Sequence, residues 1–426
     1  METFLYGLVL VLLALFGAPL FAIIAAIAML AFQAEGIDSS AVIVELYRIA
    51  SNPTLVAIPL FTFAGYTLAE SKAPTRMVNL ARAFFGAIPG GLAVVALVTC
   101  ALFTAFTGAS GVTIVALGGL LYPILIKEQY PERFVLGLIT TSGSLGLLFP
   151  PSLPLILYGL VAGISIDKLF TAGIVPGILL VAILSMYAIQ QGKKLRVPQV
   201  PFQWHAAWSA IRNAAWEIPL PLLIIGGIYL GVFTATEAAA VTAFYVVVVE
   251  VFILKDLKLV ADLPRVMKNS MLLVGAILMI IGAAMGLTNY LVDEEVPAKL
   301  FEFTKEFISS PVVFLIVLNL FLIVVGMMMD IFSAIIVVVP LIKPIAAAYG
   351  IDPVHLGIIF LTNLEIGYLT PPVGLNLFIS SLRFGKPVFT VVRATLVYIG
   401  ILLIALIIIT YVPALSLWLV RALDVQ

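Results

Sequence analysis

The chain has 426 residues, of which 63% are hydrophobic and only 10% are charged, and its 22 basic side chains balance 22 acidic ones. Soluble proteins carry about 25% charged residues, so this composition, with a mean hydropathy of +1.22, excludes a soluble globular domain. The balanced charge also gives no support for binding nucleic acid.

Long apolar stretches recur along the chain, and each can cross the ~30 Å hydrocarbon core of a membrane. The first covers residues 4–32, is too long for a signal peptide and lacks its basic start. Residues 1–50 are therefore predicted to hold a membrane span and a connector. A second span is predicted from 55 to 69, and a third opens at Pro89-Gly90-Gly91 and continues to Phe103.

A stretch rich in Gly, Ser and Thr, FTGASGVTIVALGG at 106–119, follows at what is expected to be membrane depth. Irregular backbone at this depth is tolerated only where protein or a water-filled cavity surrounds it. We therefore predict a re-entrant helical hairpin over residues 104–126, with a small-residue helix–helix interface as the alternative. A discontinuous helix over 134–165 and a span over 168–190 complete a first repeat at 51–190.

Residues 191–217 are the main hydrophilic interruption of the chain. A basic cluster at 193–196 is followed by Trp204, Trp208 and Trp216. Tryptophan favours the membrane–water boundary, so an amphipathic linker helix lying in the headgroup region is predicted here. The positive-inside rule places this linker on the cytoplasmic side of the membrane.

The second half of the chain is predicted to begin with scaffold spans at 218–270. Two of them meet near Thr234 and Glu237, where a Thr-x-x-Glu pattern predicts a helix cap. Residues 271–426 are predicted to form a second repeat. Its span, span, hairpin, broken helix and final span are placed, in that order, at 270–291, 311–326, 326–348, 355–382 and 388–411.

The two repeats share a pattern of helix-breaking residues. Residues 141–159 read TSGSLGLLFPPSLPLILYG and residues 362–380 read TNLEIGYLTPPVGLNLFIS. Aligning Thr141 with Thr362 also aligns Gly146 with Gly367 and the pair Pro150 and Pro151 with Pro371 and Pro372. Proline removes an amide donor and breaks the helix, and each carbonyl freed in hydrocarbon costs several kcal/mol unless something binds it.

Matching breaks in two apolar halves predict a transporter substrate or ion site, whereas a pair of ordinary proline kinks is the alternative. If each repeat crosses the membrane an odd number of times, the two repeats are inverted relative to each other. The hairpin tips and the breaks are then expected to converge.

Polar groups at the tips and breaks are the candidate ligands. Their oxygens suit hard cations, and helix amino ends that face the same cavity favour an anionic substrate. The candidates are Gly108, Ser110, Thr113, Ser142, Gly143, Ser144 and Gly146 in the first half and Asp330, Ser333, Thr362, Asn363, Thr370 and Asn376 in the second.

Asp330 and Glu365 are carboxylates inside predicted membrane segments, where insertion costs about 2.5–3.5 kcal/mol and a cavity or partner is expected. Asp330 is predicted to ligate a cation or relay a proton, or else to be a hairpin-tip residue in contact with water. Glu365 has the same possible roles, or else lies at the membrane interface. The methionine run 327–329 is predicted to serve packing or a flexible gate, because no Cys or His lies near it.

Common catalytic and phosphate-binding motifs, such as HExxH, GxSxG and the Walker loop, do not occur in the sequence. We therefore expect no enzymatic activity and no cofactor. The single Cys100 excludes an internal disulfide, and the distant pair His205 and His355 argues against a histidine metal site. An ion gradient, rather than ATP, is the expected energy source.

Four stretches of the chain are distinctive: GGIYLGVFTATEAAAVTAFY at 226–245, FTGASGVTIVALGGLLYP, GSLGLLFPPSLPLILYG and TPPVGLNLF. Together they resemble the large membrane subunit, of the DctM type, of tripartite ATP-independent periplasmic (TRAP) transporters. The resemblance implies an all-α polytopic membrane protein of the ion-transporter superfamily. It has two inverted repeats, each with a re-entrant hairpin and a discontinuous helix, and a scaffold beside a transport domain that moves as an elevator.

The resemblance also implies two Na⁺ sites, one at each pair of hairpin tip and helix break. The first takes Gly108, Ser110, Ser142, Gly143 and Ser144. The second takes Gly326, Asp330, Thr362, Asn363, Gly367 and Thr370. We assign Thr113, Ser333 and Asn376 to the substrate.

By the same resemblance, the chain is expected in the bacterial inner membrane, where it imports a small organic anion, such as a carboxylate or sulfonate, with Na⁺ as the coupling ion. A periplasmic substrate-binding protein (P type) delivers the anion. A small four-helix membrane subunit (Q type) is expected as a separate chain, since only residues 1–50 precede the first repeat. The alternatives are a stand-alone anion/sodium symporter or exchanger of the same fold and a membrane scaffold subunit without transport.

Overall fold

The computed structural model describes residues 18–38, 53–196, 201–308 and 310–423, together with 6, 9–10, 12–13, 16, 40, 42–44 and 47. Every regular element in these ranges is a helix, which confirms the predicted all-α class. Seven helices are long and apolar enough to cross a membrane, and one pair with a 45° bend forms an eighth candidate. The protein is therefore a multi-pass membrane protein.

The first half of the chain contains nine α-helices within the described ranges. A 3-10 turn at Leu145–Leu148 lies between the sixth and the seventh. Of the predicted first span, 4–32, the structure describes residues 18–32 and six separate positions before them, and α1 begins at Leu20. In chain order the helices are α1 Leu20–Ala34, α2 Ala57–Glu70, α3 Ala73–Phe85, α4 Gly91–Thr107, α5 Ser110–Lys127, α6 Glu132–Ser142, α7 Leu153–Ala162, α8 Ile166–Leu195 and α9 Trp204–Asn213.

The second half continues with helices of similar length and order. They are α10 Pro219–Tyr229, α11 Ala235–Ile253, α12 Leu263–Asp293, α13 Val296–Phe307, α14 Pro311–Met328, α15 Ile331–Ala348, α16 Pro353–Gly367, α17 Leu375–Phe384, α18 Val388–Tyr411 and α19 Ala414–Ala422. The start of α11 carries the predicted cap, because Thr234 and Glu237 each accept a hydrogen bond from the other's backbone amide.

In the structure, a two-residue interruption between helices, called a bend here, lies inside each of the predicted hairpin ranges 104–126 and 326–348. The first bend is Gly108–Ala109, between α4 and α5, and the second is Met329–Asp330, between α14 and α15. Each bend lies near the start of its predicted range, and α4 and α14 are the first arms. Two residues interrupt a long apolar run in each case, so hydropathy alone does not separate an arm from a span.

The broken helices and the linker also have defined bounds. The first break separates α6 from α7, and the second separates α16 from α17. Both lie inside the predicted ranges 134–165 and 355–382. Helix α8 continues to Leu195, so residues 191–195 belong to it rather than to the linker, and the amphipathic helix of the linker is α9.

Two groups of helices can be distinguished by their packing. Helices α1, α2, α11 and α12 pack mainly on one another, and we call them the outer group. Helices α4 to α8 and α14 to α19 pack around the two breaks, and we call them the inner group. In the inner group α4 and α16 are almost entirely buried by protein. Their 17 and 15 residues are fewer than the ~20 that cross a membrane.

The two halves of the inner group interlock. Helix α6 packs closely on α18, because a Cβ on Gly137 would overlap the Ala394 carbonyl and the Tyr398 ring. Helix α7 packs on α15, where the Lys343 ammonium donates a hydrogen bond to the Ala162 carbonyl. Helix α17 packs on α5 in turn. Each half-helix after a break is therefore held by the hairpin of the other half.

A buried ionic cluster ties together segments beside the outer group. The guanidinium of Arg76, on α3, donates hydrogen bonds to Glu217, Asp256 and both carboxylate oxygens of Glu250, the last at 3.1 Å. The three acidic side chains are 6%, 6% and 1% exposed. Burial raises the pKa of Glu217 although Arg76 lies beside it. The arginine therefore compensates charges that would be costly to bury alone.

Replacing Arg76 by Met is expected to lower the free energy of unfolding by about 3–5 kcal/mol, because it leaves buried carboxylates without their cation. Equilibrium unfolding in mixed detergent micelles measures this change. The matched control is Arg265→Met. That side chain is 58% exposed and pairs with Glu70 at 3.3 Å, so a change of at most about 1 kcal/mol is expected. Equal losses in the two variants would contradict the assigned role of the cluster.

Candidate substrate and cation sites

A cavity of about 470 Å³ lies where the two hairpin tips and the two helix breaks meet. One wall is formed by residues 108–112 and 330–332 at the tips. Leu147, Tyr368 and Leu375 line it from the breaks, and residues of α2 and α12 close it from the outer group. The predicted convergence of tips and breaks is therefore observed in the structure.

The two tips interrupt their helices at aligned positions, although Gly108 is left-handed and Met329 is extended. Gly108 aligns with Met329 and Ala109 with Asp330 when Thr141 is aligned with Thr362. At each tip one helix ends, two residues follow, and the next helix begins at the third. Gly108 adopts a left-handed conformation with φ 65°, which glycine reaches without strain.

The two breaks also make matching contacts with the first arm of their own hairpin. A Cβ on Gly146 would overlap the Ala101 carbonyl and the amide of Ala105 on α4. A Cβ on Gly367 would overlap the backbone of Gly326 on α14, which is the position aligned with Ala105. These glycines let unwound backbone approach a helix closely, which excludes lipid from the break.

Residues assigned to the first cation site lie around the first break. The Thr104 hydroxyl donates to the Gly143 carbonyl at 2.9 Å and pairs with the Thr113 hydroxyl at 2.7 Å. Ser142 and Ser144 donate to carbonyls of their own helix, at 3.1 and 3.3 Å. Each hydroxyl keeps its acceptor lone pairs for another partner. Ser110 instead donates to Asn376 at 2.8 Å, across the two repeats.

Residues assigned to the second cation site separate into three places. Gly326 and Gly367 are in contact, whereas Asp330 lies at the hairpin tip. The Asn363 amide donates to Asn319 of α14 at 2.7 Å, on the face toward α14. Thr362 and Thr370 donate to carbonyls of their own segment, those of Ile358 and Ile366. Within the described residues, no hydrogen bond joins Asp330 to the other candidates of this site.

The three residues assigned to the substrate are buried beside the cavity rather than on its wall. Thr113 and Asn376 are fully buried and Ser333 is 2% exposed. Thr113 pairs with Thr104, Ser333 donates to the Asp330 carboxylate, and Asn376 accepts from Ser110. Ser110 and Asp330, which were assigned to cations, do line the cavity.

The first backbone amides of α15 all donate hydrogen bonds to neighbouring side chains. The Asp330 carboxylate accepts hydrogen bonds from the amides of Phe332 and Ser333, at 3.0 and 3.1 Å. The Tyr368 hydroxyl accepts one from the amide of Ile331. These are the first three amides of the helix, which otherwise lack a partner. Asp330 is thus a helix cap on the cavity wall.

The start of α5, at the aligned position, has no such cap. Ala109 occupies the place of Asp330, and its methyl side chain cannot accept a hydrogen bond from the amides of the first turn. The amides of Ser110, Gly111 and Val112 therefore begin the helix at the cavity wall without a side-chain partner. A helix start with free amides attracts anions.

Several buried oxygens near the breaks have no hydrogen-bond partner in the described part of the chain. They are Oγ1 of Thr141, Oδ1 of Asn363 and both carboxylate oxygens of Glu365. Glu365 is 0% exposed, so protein surrounds its side chain on all sides. Such hard oxygens without donors fit a nearby cation, which would supply the missing interaction.

The sequence argument missed two aromatic residues on the cavity wall. Tyr368 directly follows α16, at the start of the second break and within the stretch that was singled out, but its hydroxyl was not considered as a cap. Tyr66, on α2, lies on the wall that the outer group contributes. No pattern in the sequence pairs α2 with the hairpin tips, so only the fold shows this position.

Replacing Gly146 or Gly367 by Ala is expected to lower the free energy of unfolding by about 1–3 kcal/mol, since each added methyl must displace backbone. Matched controls are Gly275→Ala and Gly400→Ala, also in helices, where a Cβ would meet nothing within 4 Å. These are expected to be neutral or stabilising by up to about 1 kcal/mol. The free energy of unfolding of all four variants is measured by titration with a denaturing detergent. An unchanged value for Gly367→Ala would rule out the close packing described above.

Comparisons with known proteins agree on one family. A family model described as "Tripartite ATP-independent periplasmic transporter, DctM component" matches residues 5–415. The chain is 39% identical over 395 residues to the C4-dicarboxylate TRAP transporter large permease protein DctM of Pseudomonas aeruginosa, covering 92% of this chain and 91% of that protein. It is 34% identical to the isethionate TRAP transporter permease protein DctMQ of Oleidesulfovibrio alaskensis, covering 85% of this chain and 58% of that protein.

A solved structure supports the fold alone. The Alcanivorax borkumensis YdaH transporter matches with a TM-score of 0.62 at 14% identity, covering 88% of this chain and 87% of that one. The relatives are named as permease proteins of transporters, in agreement with the predicted class. Because the family model covers nearly the whole sequence, the chain belongs to the DctM components of tripartite ATP-independent periplasmic transporters.

Proposed function

We propose that this chain is the large permease of a Na⁺-coupled importer of a small organic anion, and that it works by an elevator motion in the bacterial inner membrane. The observation that carries the proposal is the cavity of about 470 Å³, which both tips, both breaks and the outer group enclose. A transporter that binds its substrate at interrupted helices needs such a cavity.

The substrate is proposed to be a carboxylate, with C4-dicarboxylates as the first candidates. Three relatives at 36–39% identity are named for C4-dicarboxylates, and others are named for isethionate or 2,3-diketo-L-gulonate. The free amides at the start of α5 would bind a carboxylate group. Asp330 already fills the equivalent place at α15, so the two tips are not equivalent for an anion.

Sodium coupling is supported by the oxygens that lack partners near the breaks. Thr141 lies in the last turn of α6, and Asn363 and Glu365 lie in the last turns of α16. A cation bound there would neutralise Glu365 and join each break to the packing around it. Neutralising this carboxylate would remove a negative charge that repels an anion at the tips.

Elevator motion is supported by the division of the cavity wall. The tips and breaks belong to the inner group, whereas Tyr66 and the wall from α12 belong to the outer group. Movement of the inner group against the outer group would carry the substrate while its tip contacts remain intact. The partners are proposed to be a periplasmic binding protein and a Q-type subunit as a separate chain, although a related permease is a DctMQ protein.

The proposal is tested by reconstituting the chain in vesicles with its Q-type and P-type partners and radiolabelled succinate. Uptake is expected only with an inward Na⁺ gradient and is expected to disappear when K⁺ replaces Na⁺. Uptake that persists without the two partners would identify a stand-alone symporter. A lack of uptake under every gradient tested, with partners present, would favour the scaffold alternative.

Ala109→Asp is expected to lower the apparent affinity for succinate at least about tenfold, because the new carboxylate would cap α5 and repel the anion. The backbone of Ala109 is extended, as a capping residue requires, so stability is expected to rise by about 0.5–2 kcal/mol. Uptake kinetics and unfolding are measured together. The control Ala109→Asn adds the cap without the charge. An equal loss of apparent affinity for succinate in both variants would contradict the electrostatic explanation.

A further inference from the structure

A polar groove of about 430 Å³ lies between α3 and α9, apart from the cavity between the hairpin tips. Its side chains offer hydrogen-bond donors and acceptors but make no hydrogen bond to the described part of the protein. The polar residues on its walls are Asn79, Arg82, Gln203, His205, Ser209 and Asn213. The groove is therefore equipped to bind a polar group from outside the chain.

Basic residues predominate in the chain segments that form the groove. No acidic residue occurs in 71–127 or in 191–216, whereas the second segment contains four Lys or Arg residues, Lys193, Lys194, Arg196 and Arg212. The end of α8, which carries two of them, packs against the turn after α3, because a Cβ on Gly192 would overlap Gly90. Arg82 has one acidic partner, Glu128, at 3.6 Å, and stays 40% exposed. An anion is the complementary ligand.

The groove also lies beside side chains that favour the headgroup level of a membrane. Trp204 and Trp208 on α9 are 69% and 59% exposed, and Phe202 just before the helix is 49% exposed. Phe84, on α3 near Arg82, is 43% exposed. Exposed Trp side chains at this level contact both headgroups and acyl chains. A ligand that combines a phosphate with acyl chains would use both features.

We propose that this groove binds the headgroup of an anionic phospholipid, with Arg82 as the ionic contact to its phosphate. Asn79, His205 and Ser209 supply hydrogen bonds, and the aromatic side chains border the acyl chains. Basic pockets between helices on the cytoplasmic side are typical lipid headgroup sites. A bound lipid would join α9 to α3 and so fix the linker between the two repeats at the membrane surface.

Native mass spectrometry of the purified full chain, titrated with phosphatidylglycerol, tests the proposal. Arg82→Gln is expected to reduce the retained phosphatidylglycerol about fivefold, the loss of one basic contact near a membrane surface. Ala206→Trp fills the groove without changing its charge and is expected to reduce retention similarly. Arg265→Gln, an exposed arginine outside the groove, is the matched control and is expected to retain lipid as the parent chain does.

Two further measurements distinguish binding of an anionic lipid from binding of free phosphate or of any phospholipid. An excess of inorganic phosphate is expected not to displace the lipid, and phosphatidylcholine is expected to be retained less than phosphatidylglycerol. The proposal is overturned if Arg82→Gln and Ala206→Trp retain phosphatidylglycerol unchanged, if inorganic phosphate displaces it, or if phosphatidylcholine is retained equally. The same variants are also purified together with the Q-type subunit, and loss of that subunit with the lipid retained would overturn the proposal and identify the groove as a protein contact.

Discussion

Backbone amides and carbonyls that leave a helix inside a membrane must find partners within the protein, because hydrocarbon offers none. This constraint explains the arrangement of the inner group. The unwound residues 145–148 are buried, and Gly146 and Gly367 press their breaks against the first arm of each hairpin. The half-helices after the breaks are held by the opposite hairpin, through contacts such as Lys343 with Ala162. The chain can therefore keep irregular backbone at the centre without exposing it to lipid.

The aligned tips show how two similar helix interruptions differ in their electrostatic roles. Asp330 and Tyr368 satisfy the first amides of α15 from within, so that tip carries a negative charge that is already hydrogen-bonded. Ala109 leaves the first amides of α5 without a side-chain cap. Since a helix start attracts negative charge, an anionic ligand is favoured at one tip and an internal carboxylate occupies the other. Two tips that interrupt their helices at aligned positions thus differ in their ligand preferences.

Features that depend on local backbone chemistry were predictable from the sequence. Glycine and proline act on their own residue, so the matched pattern around Pro150 and Pro371 located both breaks, and Thr234 with Glu237 located a cap. The direction of a side chain depends on packing between distant segments, which the pattern does not contain. Thr113 and Asn376 were therefore assigned to the substrate but are buried beside the cavity, and Tyr66 was not considered. The predicted hairpin ranges contain both bends but only the ends of the first arms α4 and α14, because two residues hardly change the hydropathy of a long apolar run.

The mixed origin of the cavity wall connects the packing to the proposed motion. If all walls belonged to one group of helices, sliding one group past the other would leave the cavity unchanged. Here the tips supply the amides and the carboxylate, while Tyr66 and α12 supply an outer wall that is otherwise apolar. Displacement would therefore exchange the outer wall and keep the polar contacts, which lets a bound anion travel without losing its ligands. The Arg76 cluster joins α3 to α11 of the outer group through Glu250, which would help to hold that group as the stationary side in the proposed motion.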